Sequence, residues 1–396
     1  MSRFFALLLL CALLLAFHSG PGVGEPVSGA VEVRETVVHD FGSATPFDKS
    51  YGLIICVSPD NRRVAYAARL DQPEGSGKLG LFVDGIKVGE CEKALDAYFS
   101  ENSQSYAFAF ADAGGEFVLS NGRAYGPYTG VMPRSVLLDD SGTLAFVVRL
   151  DDGKQALIYN GAEEAFHDEI TEVVISSGAK HPSYIFRDGT AYSVSFGGRS
   201  YFKAERIESL ALSPIGRGAC YSVLDNGRWF PWLERRKGPF CDGIVGGFTY
   251  SPDGKSIAWI GKEGANTVLY VGSDKTPFTS VRSPVFSPDG NRLAFVVVDK
   301  QSQNIKLCKV SGNSAKLGGA HIKGHDFVTG MWFSPDSARF VHTCTMTHME
   351  VMIENGKFDA EYHDVIEPVF SGDSSTVAFA ARFDNRLTLE IGRAHV

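Results

Sequence analysis

From residue 54 onward the chain alternates short apolar runs with clusters of turn-forming residues, and no stretch keeps a 3.6-residue apolar period over a useful length. Runs such as Arg292 to Val298, Ile257 to Ile260 and Ala156 to Tyr159 are rich in Val, Ala, Ile and aromatics, the composition of strands. The dipeptides Asp84-Gly85, Asn121-Gly122, Asn160-Gly161 and Asn355-Gly356 stand between such runs and predict tight hairpins. Strands, not helices, are therefore expected throughout.

The alternation is periodic. The strings SPDNRRVAY, SPDGKSIAW and SPDGNRLAF begin at Ser58, Ser251 and Ser287, with looser copies at Ser100, Leu138, Ser176, Ser213, Ser334 and Ser371. Eight residues after each start lies Tyr66, Phe108, Phe146, Tyr184, Tyr221, Trp259, Phe295, His342 or Phe379. The intervals between the nine starts are 42, 38, 38, 37, 38, 36, 47 and 37 residues, so one supersecondary unit is repeated along the chain.

Each unit reads as four strands. Strand A (Pro284 to Phe286, for example) enters the Ser-Pro-Asp-Gly turn, where proline pre-sets φ and Ser and Asp bond nearby backbone groups. Strand B follows, apolar on both faces; strand C begins after a second turn such as Asp188-Gly189, and the more polar strand D suits an outer edge. Four antiparallel strands per unit, repeated many times, predict an all-β fold, a single β-propeller of eight or nine four-stranded blades. Nine units exceed the usual number, so a merged or displaced unit at Ser176 or Ser213 is the expected exception, and two smaller propellers are the alternative. The last unit has strands A, B and C but no D, while Val31 to Val38 alternates like a strand. Residues 25–53 are accordingly expected to supply the outer strand of the last blade and close the ring, with residues 54–396 forming the propeller.

Ser-Pro-Asp-Gly followed by Arg/Lys-x-hydrophobic-Ala-aromatic resembles the WD-repeat-like repeat of the periplasmic TolB family, and also the propellers of prolyl-oligopeptidase-type enzymes. The resemblance covers nearly all of residues 54–396 and implies a propeller that binds a protein partner. The chain departs from both families. Residues 25–53 are too few for the α/β domain that precedes the TolB propeller, and no G-x-S-x-G nucleophile elbow follows residue 24.

At the N-terminus, Arg3 precedes an apolar run from Phe4 to Phe17 and then a small-residue tail, His18 to Gly24. These are the parts of a secretory signal, and fourteen residues rise only about 21 Å as a helix. Residues 1–24 are read as that signal, with cleavage between Gly20 and Gly24, and the protein as periplasmic or secreted, monomeric and without a later membrane span. A net charge of −8 argues against nucleic-acid binding through a general basic surface. Six cysteines follow the signal, Cys56, Cys91, Cys220, Cys241, Cys308 and Cys344; an oxidising compartment permits bridges among them, and their pairing stays open.

Strand order puts the D-to-A links and B–C loops on one face of the ring. Arg69 and Asp71, Arg149 and Asp151, and Arg382 and Asp384 recur there, as a ring that holds a peptide or as exposed ion pairs. Trp229 and Trp232, within Arg228 to Leu233 and followed by Glu234-Arg235-Arg236-Lys237, read either as an interface or sugar site or as filling between blades. His321, His325, His348 and His363 fall in neighbouring loops of the eighth unit and form a candidate divalent-metal set, near Cys344, Met346 and Met349. His342 and Cys344 themselves stand in strand B and read as core. No other cofactor and no catalytic residue is indicated. The sequence thus predicts a protein- or peptide-binding scaffold. A hydrolase or lyase built from loops at the channel mouth, or a metal- or sugar-binding protein, are the alternatives.

Overall fold

A computed structural model of the chain describes residues 54–60, 62–70, 77–175, 181–216, 218–299, 302–311, 314–316, 321–346, 349–354, 357–365, 368–383 and 386–393. The expected export signal, the expected closing strand in residues 25–53, and Asp71, His348 and Asp384 lie outside them. The described residues are all-β, and no helix among them is long and apolar enough to cross a membrane. They form nine antiparallel sheets in chain order, in two compact units that divide between Glu205 and Arg206.

The first unit holds four sheets. The first is built from Ile55–Val57, Val64–Arg69, Leu79–Val83 and Ile86–Cys91, and the second from Lys93–Phe99, Tyr106–Asp112, Gly115–Ser120 and Arg123–Tyr128. In the third, strand A is split into Gly130–Val131 and Leu137–Leu138, both paired with Leu144–Arg149. The fourth runs Glu169–Val174, Ser183–Asp188, Ala191–Phe196 and Arg199–Ala204.

Five sheets make up the second unit. The fifth runs Arg206–Leu212, Ala219–Asp225, Arg228–Leu233 and the short Arg236–Lys237, and the sixth Gly243–Tyr250, Ile257–Glu263, Asn266–Val271 and Asp274–Phe278. In the seventh, Ser280–Phe286, Arg292–Asp299 and Ser302–Ser311 are followed by a split outer strand, Ser314–Lys316 and His321–His325. The eighth is Phe327–Phe333, Phe340–Met346, Met349–Glu354 and Lys357–Tyr362. The ninth pairs Asp364–Val365 and Val369–Phe370 with Thr376–Phe383, which pairs Arg386–Arg393; no D strand of this sheet lies among the described residues. The units at Ser176 and Ser213 each form a complete four-stranded sheet, so neither is merged into a neighbour.

This in-line A-B-C-D order is that of propeller blades, and the packing within each unit explains the doubly apolar B strands. In the strand Arg292–Asp299, Leu293 and Phe295 pack toward the sixth sheet with Ala258, Ile260 and Leu269, while Ala294 and Val296 pack toward the eighth with Val328, Phe340 and Cys344. Burial on both faces is what turns an alternating pattern into a continuous apolar run.

Both ends of the sheets are tied to their neighbours. At the Ser-Pro-Asp-Gly end, Ser287 Oγ donates to Asp289 and accepts the Arg292 N–H, and the Asp289 N–H reaches across to Ser337 Oγ of the next sheet at 2.9 Å. The same link joins Asp60 to Ser103 and Asp336 to Ser374. At the other end a side chain near the start of strand C accepts an N–H from strand A of the following sheet. Glu116 accepts Val131 (2.6 Å), Gln155 accepts Ile170 (2.7 Å), Thr267 accepts Val281 (2.7 Å), Gln303 accepts Val328 (2.9 Å) and Glu350 accepts Val365 (2.7 Å). Sequence reading missed these ties, although a polar residue recurring at the head of strand C was their signal.

Candidate functional site

The Arg and Asp residues that recur in the B–C loops do not share one role. Arg69 and Arg149 are exposed at the ends of their strands. Asp151 accepts a hydrogen bond from Thr129 Oγ1 at 2.6 Å, which ties its loop to the preceding link. Link carboxylates act the same way elsewhere, Asp168 accepting the Gly189 N–H and Asp242 the Gly264 N–H, each at 2.7 Å. Arg382 is half-buried, and its Nε is buried with no hydrogen-bond partner among the described residues. Of the recurring Arg and Asp residues, Asp151 closes a loop in this way.

Trp229 packs between sheets with Cys220, Cys241, Trp259 and Tyr270. Trp232 is half-buried and donates its indole N–H to the Glu234 carbonyl at 3.0 Å. Beyond them, Phe240 is 42% exposed, with the Arg228 guanidinium 4.1 Å and the Lys237 ammonium 4.2 Å from its ring centre. At the Ser-Pro-Asp-Gly end, the turn after Leu233 and the turn at Gly254 bound a cleft of about 280 Å³ between the fifth and sixth sheets. Leu233 and Ile257 form its apolar part, Arg235, Arg236 and Lys255 are exposed around it, and the half-buried Glu234 also lines it. Among the described residues only Lys255 has an acidic partner there, Asp253 at 2.9 Å, with both side chains solvated. This cleft lies at the end opposite the loops that the sequence favoured.

The histidines resolve differently from the expected set. His321 lies in a described strand, but its side chain is outside the described residues. His363 is exposed on the last link, where its N–H donates to the Arg382 carbonyl, the backbone position held elsewhere by Asp242 and Asp326. His325 instead converges with His342 and Cys344, the two residues that read as core. All three are buried, at 3%, 0% and 0% exposure, and their donor atoms lie within 4.8 Å of one another. His325 Nδ1 is 3.2 Å from Cys344 Sγ, and the two imidazole centres are 5.0 Å apart. His325 Nε2 and both nitrogens of His342 have no hydrogen-bond partner among the described residues. Burial, with some repulsion from His325, holds His342 down at about 3, so it is neutral near pH 7. Burial likewise lowers His325 against the opposing pull of Asp326, and pushes the Cys344 thiol up to about 12.

The local reason for this convergence is the repeat itself. His342 and Cys344 are two apart on one strand and therefore share a face. Their equivalents in the third and seventh sheets are Phe146 and Val148, and Phe295 and Val297. The position of His325, set by its pairing with the head of strand C, corresponds to His167, Cys241, Phe278 and Tyr362. His167 is an internal comparison: there Tyr184 and Phe186 replace His342 and Cys344, and the imidazole stacks 3.7 Å from Phe186 and bonds Asp188 at 2.9 Å. The six cysteines are all free thiols.

No family model matches the chain, and no curated protein is significantly similar to it. Among solved structures it is similar to the Dos1 propeller (13% identity, 85% of this chain and 90% of that one, TM-score 0.38). It is also similar to TolB from Acinetobacter baumannii (15%, 63% and 76%, 0.29) and to hydrazine synthase from Kuenenia stuttgartiensis (13%, 66% and 95%, 0.33). Likeness at this distance carries no function; the blade architecture rests on the strand ladders themselves.

Proposed function

We propose that the chain is an exported binding module that engages an acidic segment of a protein partner at the cleft between the fifth and sixth sheets. One observation carries this reading: in a chain of net charge −8, Arg235, Arg236 and Lys255 outnumber the one lining carboxylate, Glu234, around an apolar floor of Leu233 and Ile257, and Arg235 and Arg236 are exposed there. A cavity of about 280 Å³ falls just below the roughly 300–1,000 Å³ typical of small-molecule sites. It suits one or two side chains of a peptide whose remainder lies on the surface. Exposed cations of this kind act mainly on encounter rate and on partner choice. The loop-built enzyme reading has less support, because Glu116 and Glu350, carboxylates at the loop end, are each committed to a backbone N–H.

Titration calorimetry of the full chain with an Asp/Glu-rich peptide and a Lys-rich control tests the proposal. The acidic peptide is expected to bind, to weaken as salt rises, and to lose at least about tenfold in affinity in Arg235→Glu/Arg236→Glu. Equal binding of both peptides, or an unchanged affinity in the double variant, overturns it.

A further inference from the structure

Buried polar side chains in a folded protein almost always have partners, and those that do not call for an explanation. Where the outer strand of the seventh sheet meets the eighth, three imidazole nitrogens are enclosed without one among the described residues, beside a buried thiol. The repeat offers aromatic or aliphatic residues for the same places, as Phe146 and Val148 show. An apolar core has no use for two imidazoles and a thiol turned toward one point. A metal ion does.

We infer that His325, His342 and Cys344 form a binding site for a monovalent, thiophilic metal ion, copper(I). The donor set comes first: two neutral imidazoles and a thiol are ligands for copper(I) and zinc(II), and no carboxylate belongs to the group. Spacing is the second support. Metal–nitrogen and metal–sulfur bonds of about 2.0–2.3 Å put neighbouring ligand atoms roughly 3.5 Å apart. The Nδ1–Sγ separation is 3.2 Å, and the widest separation in the group is 4.8 Å, so a rotation of one imidazole would close the set. Charge then separates the two ions. Binding converts the Cys344 thiol to a thiolate and releases one proton to solvent, with no change of oxidation state. Copper(I) on one thiolate leaves a site of zero net charge, whereas zinc(II) leaves +1 inside a core lined by Val328, Phe340 and Val351. Buried charge is costly, and the carboxylate beside the cluster, Asp326, is itself exposed and offsets it only in part, so the neutral product is favoured. Met331 pairs directly with His342 across the strands and is itself buried, placing a soft thioether on the same face.

The test is anaerobic titration of the full, untagged and reduced chain with copper(I) against a chromophoric copper(I) chelator. X-ray absorption at the copper edge follows, with zinc(II) titrated in parallel. One tightly held copper(I), ligated by one sulfur and two nitrogens, is expected. His342→Phe and Cys344→Val, which restore residues found in other sheets, should each weaken binding at least about 100-fold while keeping cooperative melting. The inference is overturned if the chain fails to compete for copper(I), if the spectrum shows a different ligand set, if both variants bind as well as the parent, or if zinc(II) is held more tightly. Should a variant fail to fold, the spectrum of the parent chain still decides.

Discussion

Gln303 is the most informative single position for testing how neighbouring sheets are held together. Its Oε1 accepts the Val328 N–H at 2.9 Å and a bond from Arg282 Nη2 at 2.5 Å, and Arg282 also donates to the Val328 carbonyl at 2.8 Å. Gln303 is 8% exposed and Val328 2%, so water cannot readily replace the lost acceptor. Gln303→Leu removes the amide and leaves an apolar side chain one atom shorter. Stranding the Val328 N–H costs about 1–3 kcal/mol, and weakening a bond from a charged donor costs about 1.5–3 kcal/mol more. Arg282 is only half-buried and can turn partly to water, and the leucine gains some apolar burial. The net loss expected is about 2–4 kcal/mol. Gln303→Glu is the control: it keeps the acceptor, faces Arg282, and copies the roles of Glu116 and Glu350, so a change below about 1 kcal/mol is expected. Urea unfolding at neutral pH, followed by tryptophan fluorescence and circular dichroism together, measures both. If Gln303→Leu were as stable as the parent, or if Gln303→Glu lost as much as Gln303→Leu, the tie between sheets would not carry the energy assigned to it.

Two further outcomes follow from the turns. Ser334→Ala removes the acceptor of the Arg339 N–H and the donor to Asp336, and should cost about 1–2 kcal/mol in the same unfolding assay, as loss of a comparable capping side chain does. Asp139 is buried, which raises its pKa, but the Ser141 hydroxyl and the N–H groups of Thr143 and Ser141 outweigh that and hold it below the ordinary carboxylate value. A lowered folded-state pKa stabilises above the unfolded value, near 4, and that contribution disappears as pH falls through the folded value. Asp139→Asn should therefore lose stability at pH 7 and show a flatter dependence below pH 4, read from melting temperatures between pH 7 and pH 3; parallel curves for the two proteins would refute this.

Much of the architecture was legible in the residues because propeller sheets are local objects. Each strand pairs with the next one in the chain, so turn chemistry and apolar runs predict the ladder without long-range information, as Ser287-Pro288-Asp289-Gly290 and Asn160-Gly161 did. The copies at Ser176 and Ser213 read as weak because their turns depart from the Ser-Pro-Asp-Gly consensus, although each unit forms a complete four-stranded sheet.

What lies between sheets was not legible in the same way. His342 and Cys344 look like two substitutions at core positions, and His325 like one more loop histidine, until the fold brings the end of one outer strand against the inner face of the next sheet. The cationic cleft likewise joins the turn after Leu233 to the turn at Gly254, two segments that no spacing rule connects. Local hydrogen bonding and strand alternation are written residue by residue along the chain. The meeting of side chains from separate strands depends on twist, register and packing distance, and only the folded molecule sets those.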